Sequence, residues 1–198
     1  MKLIIFCALA YLAGSVNFSL LATRLAGKGD LRRVGSGNAG ATNAFRALGP
    51  GWAALILLLD IGRGVAVALL AAWLLVTPWS TILGCLAVVA GNLFPVFHQF
   101  KGGKGFATSL GIYFGVDPLA ALSVVGAWLV IVFITRMASV GTLTGAALFV
   151  VLVLCLGRGA PTVFLAAALL AIIAFTHRRN IRRILRGYEH KLGDKRRN

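Results

Sequence analysis

Acidic residues are nearly missing from this chain. Its 198 residues include 5 Asp+Glu against 20 Lys+Arg, a net charge of +15. Asp30, Asp60 and Asp117 stand far apart in the sequence, and only Glu189 and Asp194, five residues apart, are near one another. There is no acidic cluster to hold Mg2+ and no obvious carboxylate dyad for acid–base work. Cysteine is scarce too. Cys7, Cys85 and Cys155 lie inside apolar runs, lack metal-ligand spacing and are odd in number. A zinc site and a disulfide framework are thereby excluded, and the thiols read as small buried side chains. Charged residues make up 13%, where a soluble domain carries about 25%. Disorder, a coiled coil and an ordinary soluble domain are excluded, and no internal repeat or low-complexity segment is evident.

Apolar residues dominate instead, at 59%. Five runs, roughly 3–22, 51–76, 80–97, 118–134 and 140–156, are nearly free of charge. Each is long enough, or almost so, to cross about 30 Å of hydrocarbon. A sixth, 161–176, is short, and 106–116 covers only half a span. Runs this continuous exclude a β-barrel, whose strands alternate. The first run has only Lys2 before it and no convincing cleavage site, so it reads as a helix and not as a signal peptide. Seven glycines within the spans (Gly62, Gly64, Gly84, Gly91, Gly126, Gly141 and Gly145) are expected to permit close helix packing.

Of the 20 Lys+Arg, 17 fall in 23–49, in 98–105, at Arg136 and in the tail from 177. The positive-inside rule places these four segments in the cytoplasm and the N-terminus outside. Between 98–105 and the tail the chain must cross an even number of times, so 106–116 counts as a span, stopped at Asp117-Pro118. The expected fold is an all-α integral membrane protein with seven transmembrane helices, N-terminus out and C-terminus in. A short helix follows the second cytoplasmic loop. Residues 1–198 form one membrane-embedded domain, with 177–198 as a basic amphipathic cytoplasmic tail.

Three cytoplasmic segments carry the polar chemistry. The first is Gly35-Ser36-Gly37-Asn38-Ala39-Gly40-Ala41-Thr42-Asn43-Ala44-Phe45-Arg46. Its match to GxGxxG is rejected, because no strand precedes it and no βαβ unit follows. Asn38 suits the N-cap of a short helix ending at Gly49-Pro50, with Thr42, Asn43 and Arg46 on one polar edge. Glycines and a helix N-terminus favour an anion. The alternative is a connecting loop with solvated charges. The second segment, Phe100-Lys101-Gly102-Gly103-Lys104-Gly105-Phe106, is not a Walker A loop. It can still form a backbone nest for phosphate, with lysines as point charges. A glycine-rich turn against lipid headgroups is the alternative. Pro95 is expected to kink the end of the third run, and His98 reads as interfacial.

The third segment runs from Thr176 to Glu189. Ile181, Ile184, Leu185 and Tyr188 recur at helical spacing with His177 on the same face, giving a basic amphipathic helix on the inner membrane surface. His177 and Asn180 lie one turn apart at the membrane exit, better placed than the arginines, which read mainly as an anchor. Within a span, Asp60 and Arg63 at i, i+3 read equally as a functional pair or a buried structural one.

The strings GSGNAGATNAFRALG, FPVFHQFKGGKGFATSLG and HRRNIRRILRGYEHKLG, in this order and spacing, resemble the three signature motifs of the bacterial acyl-phosphate-dependent glycerol-3-phosphate acyltransferases. The likeness covers nearly the whole chain. It implies a small seven-span enzyme of the bacterial inner (plasma) membrane with its active site on the cytoplasmic face. Such an enzyme moves a fatty acyl group from acyl phosphate to the 1-hydroxyl of sn-glycerol 3-phosphate. The products are lysophosphatidic acid and inorganic phosphate, in the first acylation step of phospholipid synthesis. No cofactor, metal or nucleic acid is implied, the partner is the lipid bilayer, and the oligomeric state stays open.

Carried onto this chain, the resemblance makes Ser36, Arg46, His177 and Asn180 the expected catalytic residues. It makes Asn38, Thr42, Asn43, Lys101, Gly102, Gly103, Lys104 and Gly105 substrate-binding, and Glu189 structural. Asn92 stands where the family often has His, and Arg179 where it often has Glu. A transporter for a phosphorylated metabolite would need polar residues along several spans, yet only Asp60 and Arg63 are charged there. A lipid- or nucleic-acid-binding adaptor would leave the first two segments unexplained.

Overall fold

The computed structural model describes residues 1–33 and 36–193, so the end of the expected tail lies outside the described residues. The described chain is helical and divides into two compact units, Met1–Val116 and the remainder from Asp117.

The first unit holds α1 (Lys2–Ser15), α2 (Phe18–Leu25), α3 (Ala41–Leu48), α4 (Pro50–Leu74), α5 (Pro78–Leu93) and α6 (Phe106–Val116). The second holds α7 (Pro118–Thr135), α8 (Ala138–Cys155), α9 (Ala160–Thr176) and α10 (Arg178–Leu185). Proline punctuates this order. Pro50, Pro78, Pro118 and Pro161 sit in the first turns of α4, α5, α7 and α9, where no backbone N–H is needed. Pro95 follows the end of α5, and a single 3-10 turn, Val96–His98, succeeds it. Caps do the rest. Asn17 accepts from Leu20 N at the start of α2, Thr77 and Ser80 form a capping box on α5, and Asp117 accepts from Ala120 N on α7.

Five helical segments are long and apolar enough to cross a membrane: Lys2–Leu25, Pro50–Leu74, Pro78–His98, Pro118–Thr135 and Ala138–Cys155. The pair α9 and α10 makes a sixth if its 64° bend is taken within one span. Helix α6 exists as expected from the sequence. Its residues Thr108, Ser109, Leu110, Gly111, Ile112 and Tyr113 are all buried, unlike the lipid-ready faces of the long helices. At about 1.5 Å per residue it is half a membrane thick.

Close packing in the first unit is backbone on backbone. Gly14 of α1 and Gly91 of α5 face each other so closely that a Cβ on either would land on the opposing main chain. Gly64 of α4 and Gly111 of α6 repeat the arrangement. Gly84 is pressed against Phe6, and in the second unit Gly141 lies against Trp128. Gly62 and Gly126 depart from the expectation, with nothing near where a Cβ would project, because they face outward. The cysteines depart too. Cys85 is buried, but Cys7 is half-buried and Cys155 exposed. An apolar run does not say which face of its helix meets protein and which meets lipid.

Asp60 and Arg63 prove to be a structural cross-brace. Arg63 Nη2 meets Asp60 Oδ1 at 2.6 Å and donates to Thr108 Oγ1 of α6 at 2.9 Å. Its Nη1 donates to the carbonyls of Ala13, Gly14 and Val16 at the C-terminal end of α1, where a helix runs out of its own N–H donors. The guanidinium also stacks on Phe18 of α2, 5.1 Å from the ring centre. One buried arginine therefore ties α1, α2, α4 and α6 at the break between the first two helices.

Candidate active site

The first glycine-rich segment is built around Asn43, not Asn38. Helix α3 begins two residues later than expected, with extended Gly40 at its N-cap and no side-chain cap. Ala39 is buried ahead of it, and its carbonyl accepts from Asn17 Nδ2 at 3.4 Å. That anchored, extended stretch displaces the cap from Asn38, which instead accepts at its carbonyl from Gly40 N. Asn43 turns inward, away from the expected shared edge. Its Oδ1 accepts from Ser36 N at 3.0 Å and its Nδ2 donates to Leu31 O at 3.0 Å. This buried amide folds the loop over itself and leaves Ser36 and Thr42 exposed, with Arg46 half-buried in the last turn of α3. A cation there suits the negative end of the helix. Gly49, at positive φ, ends α3 and opens α4 in one residue.

The second segment is held by the end of α5. Gly102 N donates to Leu93 O and Gly103 N to Asn92 O, at 3.1 and 3.0 Å. Both glycines are required by proximity. A Cβ on Gly102 would strike the Asn92 carbonyl and Pro95, and one on Gly103 would press on the Ala39 carbonyl of the first segment. Gly105 has φ +84 and sits against Leu93. Asn92, the departure noted above, is buried and supplies the backbone acceptor for this turn. Lys101 is exposed and Lys104 half-buried.

The two segments thus meet at Ala39 and Gly103. A second link comes from Arg32, which in the sequence reads only as one of the basic residues of 23–49, and from Asp30 beside it. Arg32 chelates Asp30 through Nε and Nη2, the closest contact being 2.7 Å. Its Nη1 donates to His98 O at 3.1 Å and Lys101 O at 3.4 Å. The hydrogen bond from Arg32 holds the Asp30 carboxyl down at about 2. The one acid beside these loops is thereby neutralised, and the remaining charge of Arg46, Lys101 and Lys104 favours an anion. The signal for Arg32 in the sequence is its place two residues after the single acid of the segment.

In the second unit, His177 closes α9 and opens α10. Its Nδ1 lies 2.8 Å from Ile173 O, so Nδ1 carries the proton and Nε2 the lone pair in the neutral ring. Asn180 is the buried residue of α10, and its Nδ2 donates to Glu189 Oε1 at 2.5 Å. Glu189 also accepts from Ser139 Oγ and from Arg183 Nε. The expected amphipathic helix through Tyr188 is shorter. It ends at Leu185, and Gly187 at φ +74 turns the chain back so that Glu189 is buried. Leu185 and Tyr188 are exposed. Leu192 then pairs with Arg136, its N–H donating to Arg136 O while Arg136 Nη2 donates to Leu192 O.

Among the described residues no group of three or more His, Cys, Asp or Glu could hold a metal ion. The guanidinium and ammonium groups suit an anionic substrate, whereas the Gly102 and Gly103 N–H groups expected to form a backbone nest are instead spent on the carbonyls at the end of α5.

Comparison with known proteins agrees with this chemistry. The family model for glycerol-3-phosphate acyltransferase matches residues 4–187. A glycerol-3-phosphate acyltransferase of Thioalkalivibrio sulfidiphilus is 42% identical over 96% of this chain and 93% of its own. One of Aquifex aeolicus is 40% identical over 96% of this chain and 100% of its own. The crystal structure of PlsY, an integral membrane glycerol 3-phosphate acyltransferase, in its glycerol 3-phosphate form superposes with a TM-score of 0.93. It is 39% identical over 98% of this chain and 96% of that one. By matches that run almost end to end, this chain belongs to the glycerol-3-phosphate acyltransferase family.

Proposed function

We propose that the protein transfers a fatty acyl group from acyl phosphate to the 1-hydroxyl of sn-glycerol 3-phosphate, releasing lysophosphatidic acid and inorganic phosphate. The observation that carries this reading is the junction of the two glycine-rich segments at Ala39 and Gly103 within one cationic region. The relatives support it: PlsY is described in glycerol 3-phosphate and lysophosphatidic acid forms.

Acyl phosphate is a mixed anhydride and needs no further activation. The substrate hydroxyl attacks the acyl carbon, the carbon–oxygen bond to phosphate breaks, and phosphate leaves with the electron pair. The protein has to bring two repelling anions together, and positioning supplies about 7–11 kcal/mol in favourable cases. Arg46 and Lys104 neutralise phosphates, with Lys101 beside them, while Gly102, Gly103 and Gly105 let the loop pack closely enough to bring these charges to the substrate. Ser36, exposed ahead of α3, and Thr42, exposed in its first turn, hydrogen-bond substrate, while Asn38 and Asn43 shape the loop. His177 accepts or orients a proton through Nε2, and Asn180 hydrogen-bonds substrate. A substrate phosphate oxygen can take the hydroxyl proton, which suits a chain so poor in acid.

The finer topology is part of the same reading. The chain crosses the bacterial inner membrane seven times with the N-terminus out and the C-terminus in. Helix α6 completes the even number of crossings, and the motifs face the cytoplasm. Residues 1–198 act as one enzyme domain with a basic tail.

The test is direct. Purified protein receives acyl phosphate and glycerol 3-phosphate, and phosphate release is followed. Release that Arg46→Ala abolishes is expected; no release, or release indifferent to Arg46→Ala, overturns the reading. Trapping an acyl group on Ser36 without acceptor would overturn the direct transfer.

A further inference from the structure

Between His98 and Lys101 lie Gln99 and Phe100, both at φ 57. They are two of three non-glycine residues with positive φ among the described residues. Left-handed conformations cost side-chain-bearing residues roughly 1–2 kcal/mol each. Such residues persist only where their surroundings over-determine them, and they cluster at functional sites. Here the surroundings are identifiable. The carbonyls on either side of the strained pair, His98 O and Lys101 O, both accept from the one nitrogen Arg32 Nη1. Asp30 holds the rest of that guanidinium by Nε and Nη2. A planar fork with five donors holds the carboxylate and both carbonyls in one fixed geometry, where an ammonium offers three donors on a flexible stem. Lys101 and the glycine turn follow immediately, with Gly102 N and Gly103 N bonded to α5.

From this arrangement we infer that Arg32 is a positioning residue. Oriented by Asp30, it clamps the strained Gln99–Phe100 turn in the shape that presents the Lys101–Gly105 loop to the phosphate of the substrate. The inference rests on the acyl-transfer reading of the same site. Arg32 uses its donors on Asp30 and two main-chain carbonyls, so its role is distinct from direct substrate binding.

The test exploits the strain. Arg32→Ala frees the turn to relax, and substrate must then pull the loop back into shape. KM for glycerol 3-phosphate is expected to rise roughly tenfold with kcat nearly held, as when the competent conformer becomes the minor one. Adding Gln99→Gly and Phe100→Gly removes the cost of positive φ and should restore most of the lost affinity. A guanidinium that binds substrate itself would not be rescued by glycine. A rise in KM that the glycines leave untouched therefore overturns the inference, as does wild-type KM in Arg32→Ala. Hydrogen exchange on the same variants is read without any substrate. Faster exchange at Phe100, Lys101, Gly102 and Gly103 in Arg32→Ala is expected, and unchanged protection there overturns the clamp. That readout stands even if the wild type transfers no acyl group.

Discussion

Asn180 of α10 donates its side-chain amide to Oε1 of Glu189 at 2.5 Å, so a buried carboxylate nine residues later sets the orientation of a candidate catalytic amide. Ser139 and Arg183 complete the shell at 2.8 and 2.7 Å. Glu189→Ala leaves three donors facing a void. We expect a loss of about 1–3 kcal/mol in stability, the range for stranding buried polar groups. Activity should fall further than the folded fraction, because Asn180 loses its orientation. Thermal unfolding and initial rates on the same preparation check this.

The same carboxylate makes a pH prediction. Burial pushes the Glu189 carboxyl up, but hydrogen bonds from Arg183, Asn180 and Ser139 and the Arg183 charge outweigh it, leaving it below the ordinary glutamate value. A carboxylate with a lowered folded pKa contributes stability that is present above its unfolded value and lost as pH falls through the folded one. Wild-type Tm should therefore drop below about pH 4.3. Glu189→Gln should start lower at neutral pH and lack that component of the acid slope. Parallel Tm-against-pH curves for the two proteins would overturn the assignment.

Gly102 and Gly103 differ in what opposes them. A Cβ at Gly102 meets main-chain carbonyls of α5 and the ring of Pro95 just after it, none of which is a flexible side chain. At Gly103 the obstacle is the Ala39 carbonyl, on a loop. Gly102→Ala should cost stability at the upper part of the about 1–3 kcal/mol range for overpacking. Gly103→Ala should cost less stability and more activity, since it separates the two loops proposed to bind substrate. Tm and KM for glycerol 3-phosphate, measured together, check the ordering.

Arg63→Met strands Asp60 as an unpaired buried charge and releases the carbonyls at the end of α1. Breaking a buried pair from one side costs about 3–5 kcal/mol. Melting in detergent should fall accordingly, and Arg63→Met with Asp60→Asn should recover part of it. Because the pair is a brace, protein that remains folded should keep its KM. A KM that rises without loss of Tm would move Arg63 into the substrate site.

Much of the fold was legible because membrane helices announce themselves by length and charge. The proline and cap positions mark where α4, α5, α7 and α9 begin, and the runs of apolar residues mark their extent. Less was legible within the site. Asn38 and Asn43 offer the same side chain to a reader of the sequence, yet only Asn43 turns inward, because burial of Ala39 moves the start of α3. Tyr188 fits the helical spacing of the third segment, but Gly187 stops the helix and reverses the chain first.

The amino-acid sequence by itself determined the environment and the chemistry. Its apolar runs demand a membrane, and its scarce acid with glycine, amide and basic residues points to phosphate. Tertiary structure decided the roles of the ions. Asp60 and Arg63 are read evenly from spacing, and only the carbonyls arriving from α1 make them a brace. Arg32 is one basic residue among 20 Lys+Arg until the carbonyls of His98 and Lys101 fold against it. The reason is physical. Hydropathy is a property each residue carries alone, whereas a hydrogen bond between positions 66 residues apart exists only once the chain is packed.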